Sequence, residues 1–155
     1  MILALLIAAQ ATSGQLPPAG PIPPPSFETA NVLAPIQQLF AAFQAGDSAA
    51  MLRLVYPEGR VTATGVRASS SGLRQESWAQ FAQRVTPGST FQESISDHAV
   101  EIDGDVAMIW APFVVRSNGA VTNCGFDHFD LVRDQGVWKV MNLTFSSRVT
   151  GCPAN

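Results

Sequence analysis

The chain has 155 residues, a length that suits one domain rather than two. Apolar residues make up 46% of it, enough to build a hydrophobic core, so the composition is not that of a disordered protein. The formal net charge is −3 and no run of lysine or arginine occurs, which argues against nucleic-acid binding.

Residues 1–11 have the features of a signal peptide. Met1 to Ala9 is almost wholly apolar, and Ala9-Gln10-Ala11 fits a small-x-small cleavage site. The run is far shorter than the roughly 20 residues that span a bilayer, so we expect no membrane span. No basic residue precedes the run, and a start codon upstream of Met1 would explain this. The alternative is a hydrophobic N-terminus on a cytosolic protein, whereas the signal-peptide interpretation predicts a periplasmic or secreted protein.

Residues 12–27 are predicted to form a proline-rich tether, since six prolines lie between Pro17 and Pro25. Proline lacks a backbone donor and fixes φ, which favours an extended spacer. The remaining residues, 28–155, are predicted to form one domain.

Two helices are predicted at the start of the domain. The first lies within Phe27–Ala45, where apolar residues recur at spacings of three and four, and Pro35 fits its start or a kink. Gly46 suits the position just past its end. Asp47 then caps a second helix over Ser48–Val55.

A short strand and a third helix follow. Arg60–Val66 alternates weakly and is interpreted as a strand, and the small polar residues of Ala68–Gly72 predict a loop. Glu76–Val85 is predicted to be the third helix, with Trp78 on its apolar face.

The region from Phe91 to Arg148 is predicted to form four antiparallel strands. Tight turns are indicated at Asp103-Gly104, Asn118-Gly119 and Asp134-Gln135-Gly136. Such pairs favour hairpins because the turns need φ > 0. The predicted fold class is therefore α+β, with three N-terminal helices packed on a strongly curved antiparallel sheet that forms a cone.

Period-two alternation assigns side chains to the inward face of this sheet. In the preferred register Asp127 faces both Trp110 and Thr144, whereas a slip by one residue would bury His128 and Asp130 at high cost. The predicted ligand-pocket residues are Trp110, Asn123, Asn142, Thr144, Met108 and Phe129.

The strand before Asp103 has two possible registers. A bulged loop at Asp103-Gly104 places His98 beside Trp110, and the alternative register places Asp97 there. In the first case His98 could exchange protons beside Asp127; otherwise it only covers the mouth of the cone.

The order of these elements resembles the nuclear transport factor 2-like (SnoaL-like, cystatin-like α+β) superfamily. The chain is especially similar to an exported bacterial subgroup of unassigned activity. The resemblance is carried by Gly104-Asp105-Val106-Ala107, Trp110-Ala111-Pro112-Phe113, Cys124-Gly125-Phe126-Asp127-His128-Phe129, Gly136-Val137-Trp138-Lys139 and Gly151-Cys152. In that subgroup a histidine usually precedes the first cysteine, whereas this chain has Asn123.

The resemblance implies an exported small-molecule-binding or scaffold domain with a small apolar ligand. The superfamily also includes isomerases and dehydratases that abstract a proton with a pocket Asp or His, which makes Asp127 and His98 the candidate catalytic residues. Such enzymes also need an oxyanion donor, and the only tyrosine, Tyr56, lies at a helix end before a proline. We therefore favour binding over catalysis and expect neither a cofactor nor a metal.

Two further expectations concern covalent and quaternary structure. An exported chain with two cysteines favours a disulfide between Cys124 and Cys152, with a structural role. Many members of the superfamily dimerise through the outer face of the sheet, so we expect a homodimer. The residues expected on that face are unusually apolar: Ile109, Phe113, Phe126, Met141, Leu143 and Phe145.

Overall fold

The structure is a computed structural model that describes residues 27–65, 72–88 and 90–153. The predicted signal peptide and nearly all of the predicted tether lie outside the described residues, as does most of the predicted loop Ala68–Gly72. The tether prediction is wrong at its last residue, because Phe27 begins the first helix.

The two predicted helices are present as α1 (Phe27–Ala45) and α2 (Ser48–Leu54). Pro35 neither starts nor interrupts α1 but lies inside it. Gly46 joins the two helices with φ of 66°, and a Cβ there would lie 2.2 Å from the Thr86 carbonyl oxygen. Asp47 caps α2 as expected, since its Oδ1 accepts a hydrogen bond from the Ala50 N–H at 2.8 Å.

Helix α3 spans only Trp78–Ala82, so the prediction of a helix from Glu76 to Val85 is wrong at both ends. Ser77 and Gln80 form a capping box that fixes the start of the helix at Trp78. Glu76 lies before this cap and pairs with Val61 in a β-ladder instead.

The sheet has seven strands: β1 (Arg60–Gly65), β2 (Leu73–Ser77), β3 (Phe91–Ile95), β4 (Ala99–Asp103), β5 (Val106–Ser117), β6 (Ala120–Asp134) and β7 (Val137–Arg148). Their order is β2-β1-β7-β6-β5-β3, with β4 also paired to β5. Strands β1 and β7 run parallel, so the curved, open sheet is mixed rather than wholly antiparallel. The predicted first strand of the sheet is divided into β3 and β4 at Ser96-Asp97-His98, where Asp97 has φ of 41°.

Two β-bulges set the register of the long strands. Between β5 and β6, Thr122 is an extra residue, because Arg116 pairs with Val121 and Val115 pairs with Asn123. Between β6 and β7, Met141 is the extra residue in the same way. Each bulge shifts the pairing beyond it by one residue, which exchanges the two faces of the partner strand.

One face of the sheet, here called the inner face, packs against the helices. On β5 it carries Ala107, Ile109, Ala111, Phe113 and Val115, all of which are buried. The largest fully buried side chains of the core are Trp78, Phe129, Ile36, Leu39, Met51, Ile109 and Leu131. Among the described residues, no helix has both the length and the apolar character that crossing a bilayer requires.

Candidate functional site

Asp127 lies on the inner face of β6 and is 0% exposed. Its neighbours across the ladder are Ala111 on β5 and Phe145 on β7. Within the described residues, neither of its carboxylate oxygens has a hydrogen-bond partner. A buried polar group in this state costs about 1–3 kcal/mol of folding free energy, which makes Asp127 the most unusual side chain of the core.

Glu93 on β3 is a second acid on the inner face. It pairs with the buried residue Val115, and the flanking residues Phe91 and Ile95 pack against the core from the same face. As a whole residue Glu93 is only partly buried, because β3 ends the sheet. Burial raises the pKa of Glu93 to about 8.

The two acids interact electrostatically. Burial raises the pKa of Asp127 well above its ordinary value, and the nearby charge of Glu93 raises it further. The protons of such a pair belong to both groups together. Near neutral pH the pair therefore retains at least one proton and presents both a hydrogen-bond donor and acceptors to the interior.

Sequence reasoning found Asp127 but missed Glu93. The strand Phe91–Ile95 alternates apolar and polar residues, with Phe91 and Ile95 on the side of Glu93. This alternation could have identified Glu93, because a charged residue between two core residues on one face of a strand is unusual.

Basic residues lie on β2, at the opposite edge of the sheet, and in the turn that follows α3. Glu76 on β2 is buried and accepts hydrogen bonds from Arg84 Nη1 and, at 2.6 Å, from Arg84 Nη2. Arg74 Nε lies 3.4 Å from the same carboxylate. The hydrogen bond to Glu76 raises the pKa of Arg84, and its guanidinium stacks on Phe81. Arg74 and Arg84 thus both form ion pairs with the carboxylate of Glu76.

Of the other residues predicted to line the pocket, Asn123 and Phe129 lie on the inner face. Asn123 is buried, and its Nδ2 donates a hydrogen bond to Ser147 Oγ at 3.2 Å. Phe129 is fully buried and packs edge-on against Phe40 of α1. Phe129 therefore belongs to the packed core.

Four predicted pocket residues lie on the outer face, so their predicted orientation is wrong. They are Trp110, Met108, Asn142 and Thr144. The two bulges are the cause, since Ala111 rather than Trp110 faces Asp127, and Phe145 rather than Thr144. Asn142 instead accepts a hydrogen bond from the Arg60 N–H and donates one to Asp130.

His98 does not join Asp127 either. It lies in the exposed connection between β3 and β4, which contradicts both its predicted strand position and its predicted place beside Trp110. Val100 and Ile102 do pack against the core, as the first of the two possible registers requires. The alternation ends at Ala99, because the backbone turns at Asp97.

Two clefts beside α1 bear on how a small molecule would reach the inner face of the sheet. A cleft of about 150 Å³ lies between α1, α3 and β3, lined by Phe43, Phe81, Arg84, Val85, Thr86 and Phe91. Phe91 is followed two residues later on the same face by Glu93. A larger cleft of about 380 Å³ lies between α1, α2 and the β6–β7 turn. Neither Asp127 nor Glu93 lines either cleft directly.

The predicted disulfide is present, joining Cys124 on β6 to Cys152 with a Cα–Cα distance of 5.6 Å. Within the described residues, no three His, Cys, Asp or Glu side chains are grouped as metal ligands.

Comparisons with known proteins agree on the fold. A family model described as "Putative lumazine-binding" matches residues 27–146. No curated protein matches the chain. A cystatin-like protein of unknown function from Nostoc punctiforme has 10% identity and a TM-score of 0.66, covering 81% of this chain and 95% of its own.

Two further solved structures have the same architecture. A nuclear transport factor 2-like protein with a cystatin-like fold from Novosphingobium aromaticivorans has 14% identity and a TM-score of 0.65, covering 79% of this chain and 82% of its own. A structure from Streptomyces avermitilis described as a "putative dehydratase" of that family has 16% identity and a TM-score of 0.61, covering 78% and 96%. The chain therefore belongs to the family described as "Putative lumazine-binding" and has the cystatin-like fold of these solved structures.

Proposed function

We propose that this protein binds a small, largely apolar molecule inside the cone, with Asp127 as the polar anchor. The observation that carries the proposal is the fully buried Asp127 carboxyl, whose oxygens have no hydrogen-bond partner among the described residues. Ligand pockets typically combine apolar walls with a few placed polar groups. The family description names lumazine binding, which accords with a small-molecule ligand.

A proton-transfer enzyme of the isomerase or dehydratase type is the second candidate. The observation that favours it is the Glu93 pKa of about 8, because a protonated acid beside a carboxylate base can act as an oxyanion donor. In this candidate Asp127 is the base. The relative described as a dehydratase supports the same reaction class.

Asp127→Asn separates the two candidates, with Asp130→Asn as the matched control. Both substitutions lie on β6, but Asp130 is on the outer face and hydrogen-bonds with Asn142. The experiment is a fragment screen followed by NMR titration of backbone amides. Binding in the cone predicts shifts at Ala111, Phe145 and Glu93 that weaken in Asp127→Asn and persist in Asp130→Asn. Shifts confined to the outer face would contradict the proposal.

An enzyme makes an additional demand. If Asp127 is a catalytic base, Asp127→Asn should abolish turnover of any substrate while the ligand still binds. A purely binding protein shows a change in affinity and has no turnover to lose.

The outer face of the sheet is proposed to mediate a homodimer in an exported protein. Trp110 is 47% exposed there and stacks on Phe126, with ring centroids 5.3 Å apart. The disulfide accords with an oxidising compartment. Of the residues first expected on this face, Ile109, Phe113 and Leu143 are buried inside and Phe145 packs against the core, so their assignment is wrong. The apolar centre of the interface is therefore Trp110 with Phe126.

A further inference from the structure

We propose that the ligand carries a basic nitrogen, which binds as a cation between the carboxyls of Asp127 and Glu93. This inference rests on the proposed binding function and specifies its substrate class. The ligand would be an organic amine attached to one flat apolar group.

The first argument is the charge of the interior. Asp127 on β6 and Glu93 on β3 both lie on the inner face of the sheet, where their charges interact, and Asp127 is completely buried. Within the described part of the chain, no basic side chain forms an ion pair with either of them. A ligand cation would supply the missing partner.

The second argument concerns the charged groups on the elements that enclose the site. The inner face of β2 contributes Arg74 and Glu76, and the turn that follows α3 contributes Arg84. Since both arginines are held at Glu76, neither neutralises Asp127 or Glu93. The buried residues of α1 are all apolar, and they include Phe40 and Phe43, whose rings contact each other.

The third argument is the place for the apolar part of the ligand. The cleft of about 150 Å³ is walled by the rings of Phe43, Phe81 and Phe91. Phe91 and Glu93 are two residues apart on one strand face, so their Cα atoms are roughly 7 Å apart. An apolar cavity of this size holds a single aromatic ring. A ring held against Phe91 thus leaves an attached amine on the strand face that Phe91 shares with Glu93.

A metal ion is a poorer occupant than an organic cation. No third histidine, cysteine or acid joins the two carboxyls in the described residues, and protein sites for Ca²⁺ and Zn²⁺ use more ligands than two.

Cation binding should also release protons. The pKa of both carboxyls is raised in the free protein, so the pair holds at least one proton near neutral pH. An ammonium group favours the ionised carboxylates, and the proton leaves for the buffer.

The experiment is isothermal titration calorimetry on the full chain with three probes of one shape: benzylamine, benzyl alcohol and benzoate. Each titration is run in two buffers of different ionisation enthalpy, which measures proton release. We expect benzylamine to bind about tenfold or more tightly than benzyl alcohol, because it adds a charge-assisted contact, and benzoate to bind most weakly.

Two isosteric variants and one control locate the effect. Glu93→Gln and Asp127→Asn should each remove the preference for the amine, whereas Glu101→Gln, on the exposed edge strand β4, should keep it. Equal binding of amine and alcohol, or an amine preference that survives both variants, overturns the inference while leaving small-molecule binding in the cone intact. Binding by none of the three probes counts against both proposals.

Discussion

Trp78 Nε1 donates a hydrogen bond to the carbonyl oxygen of Met141, 2.9 Å away. Trp78 is the first residue of α3 and is 0% exposed, and Met141 is the extra residue of the β7 bulge. The bond therefore links α3 to the β-bulge at Met141. This bulge determines that Leu143 and Phe145 lie on the inner face of the sheet.

Trp78→Phe should destabilise the fold by about 1–3 kcal/mol, because it leaves the buried Met141 carbonyl without its donor and creates a small cavity. The measurement is urea unfolding followed by far-UV circular dichroism. Trp110→Phe is the matched control, since the half-exposed Trp110 makes no such bond, and it should change stability by less than about 0.5 kcal/mol. Equal effects of the two substitutions would contradict this role of Trp78.

The stability of the protein should fall as pH rises from about 4.5 to about 8. Burial raises the folded-state pKa of Glu93, so the native state holds more protons than the unfolded state in this window. The stabilisation is complete below the unfolded-state pKa and is lost as pH passes the folded-state pKa. The raised pKa of Asp127 has the same sign and extends the decline. The measurement is the free energy of unfolding by urea at each pH.

The double variant Glu93→Gln, Asp127→Asn should flatten this pH dependence, because neither replacement titrates. Asp130→Asn should leave the slope as it is in the native chain. A native chain whose stability rises between pH 5 and pH 8 would show that the two carboxyls are not desolvated as described.

The fold could be predicted from the sequence because its signals are local. The turns at Asn118-Gly119 and Gln135-Gly136 have the positive φ values that their residue types favour. The cap at Asp47 forms as predicted. The inward position of Asp127 follows from the apolar neighbours Phe129 and Leu131 on its own strand.

Only part of the site could be predicted, because the register of a strand depends on its pairing with other strands and not on its local sequence. A single extra residue, Thr122 or Met141, exchanges the faces of a partner strand, and nothing in the residue type announces a bulge. A usable signal was present in the partner strands. Ile109, Ala111 and Phe113 form a small apolar series that buries more readily than Met108, Trp110 and Pro112.

Loss of the disulfide should destabilise the protein by about 3 kcal/mol, since it closes a loop of 28 residues in the unfolded chain. Cys152→Ser tests this with little disturbance, because Cys152 is only partly buried, whereas Cys124 is buried. The measurement compares urea unfolding of this variant with the native chain, each with and without reductant. Reductant should destabilise only the native chain. A native chain indifferent to reductant would mean that the bond contributes nothing.

Trp110→Glu should dissociate the proposed homodimer. The exposed Trp110 stacks on the half-buried Phe126 on the outer face, and aromatic anchors at an interface centre typically contribute about 2 kcal/mol or more. Val137→Glu is the control, since Val137 is 57% exposed at the β6–β7 turn, away from that pair. Sedimentation equilibrium should show at least a roughly 30-fold weaker dimer for Trp110→Glu and no change for the control. A native chain that sediments as a monomer at micromolar concentration contradicts the interface, and an unchanged Trp110→Glu dimer places it elsewhere on the molecule.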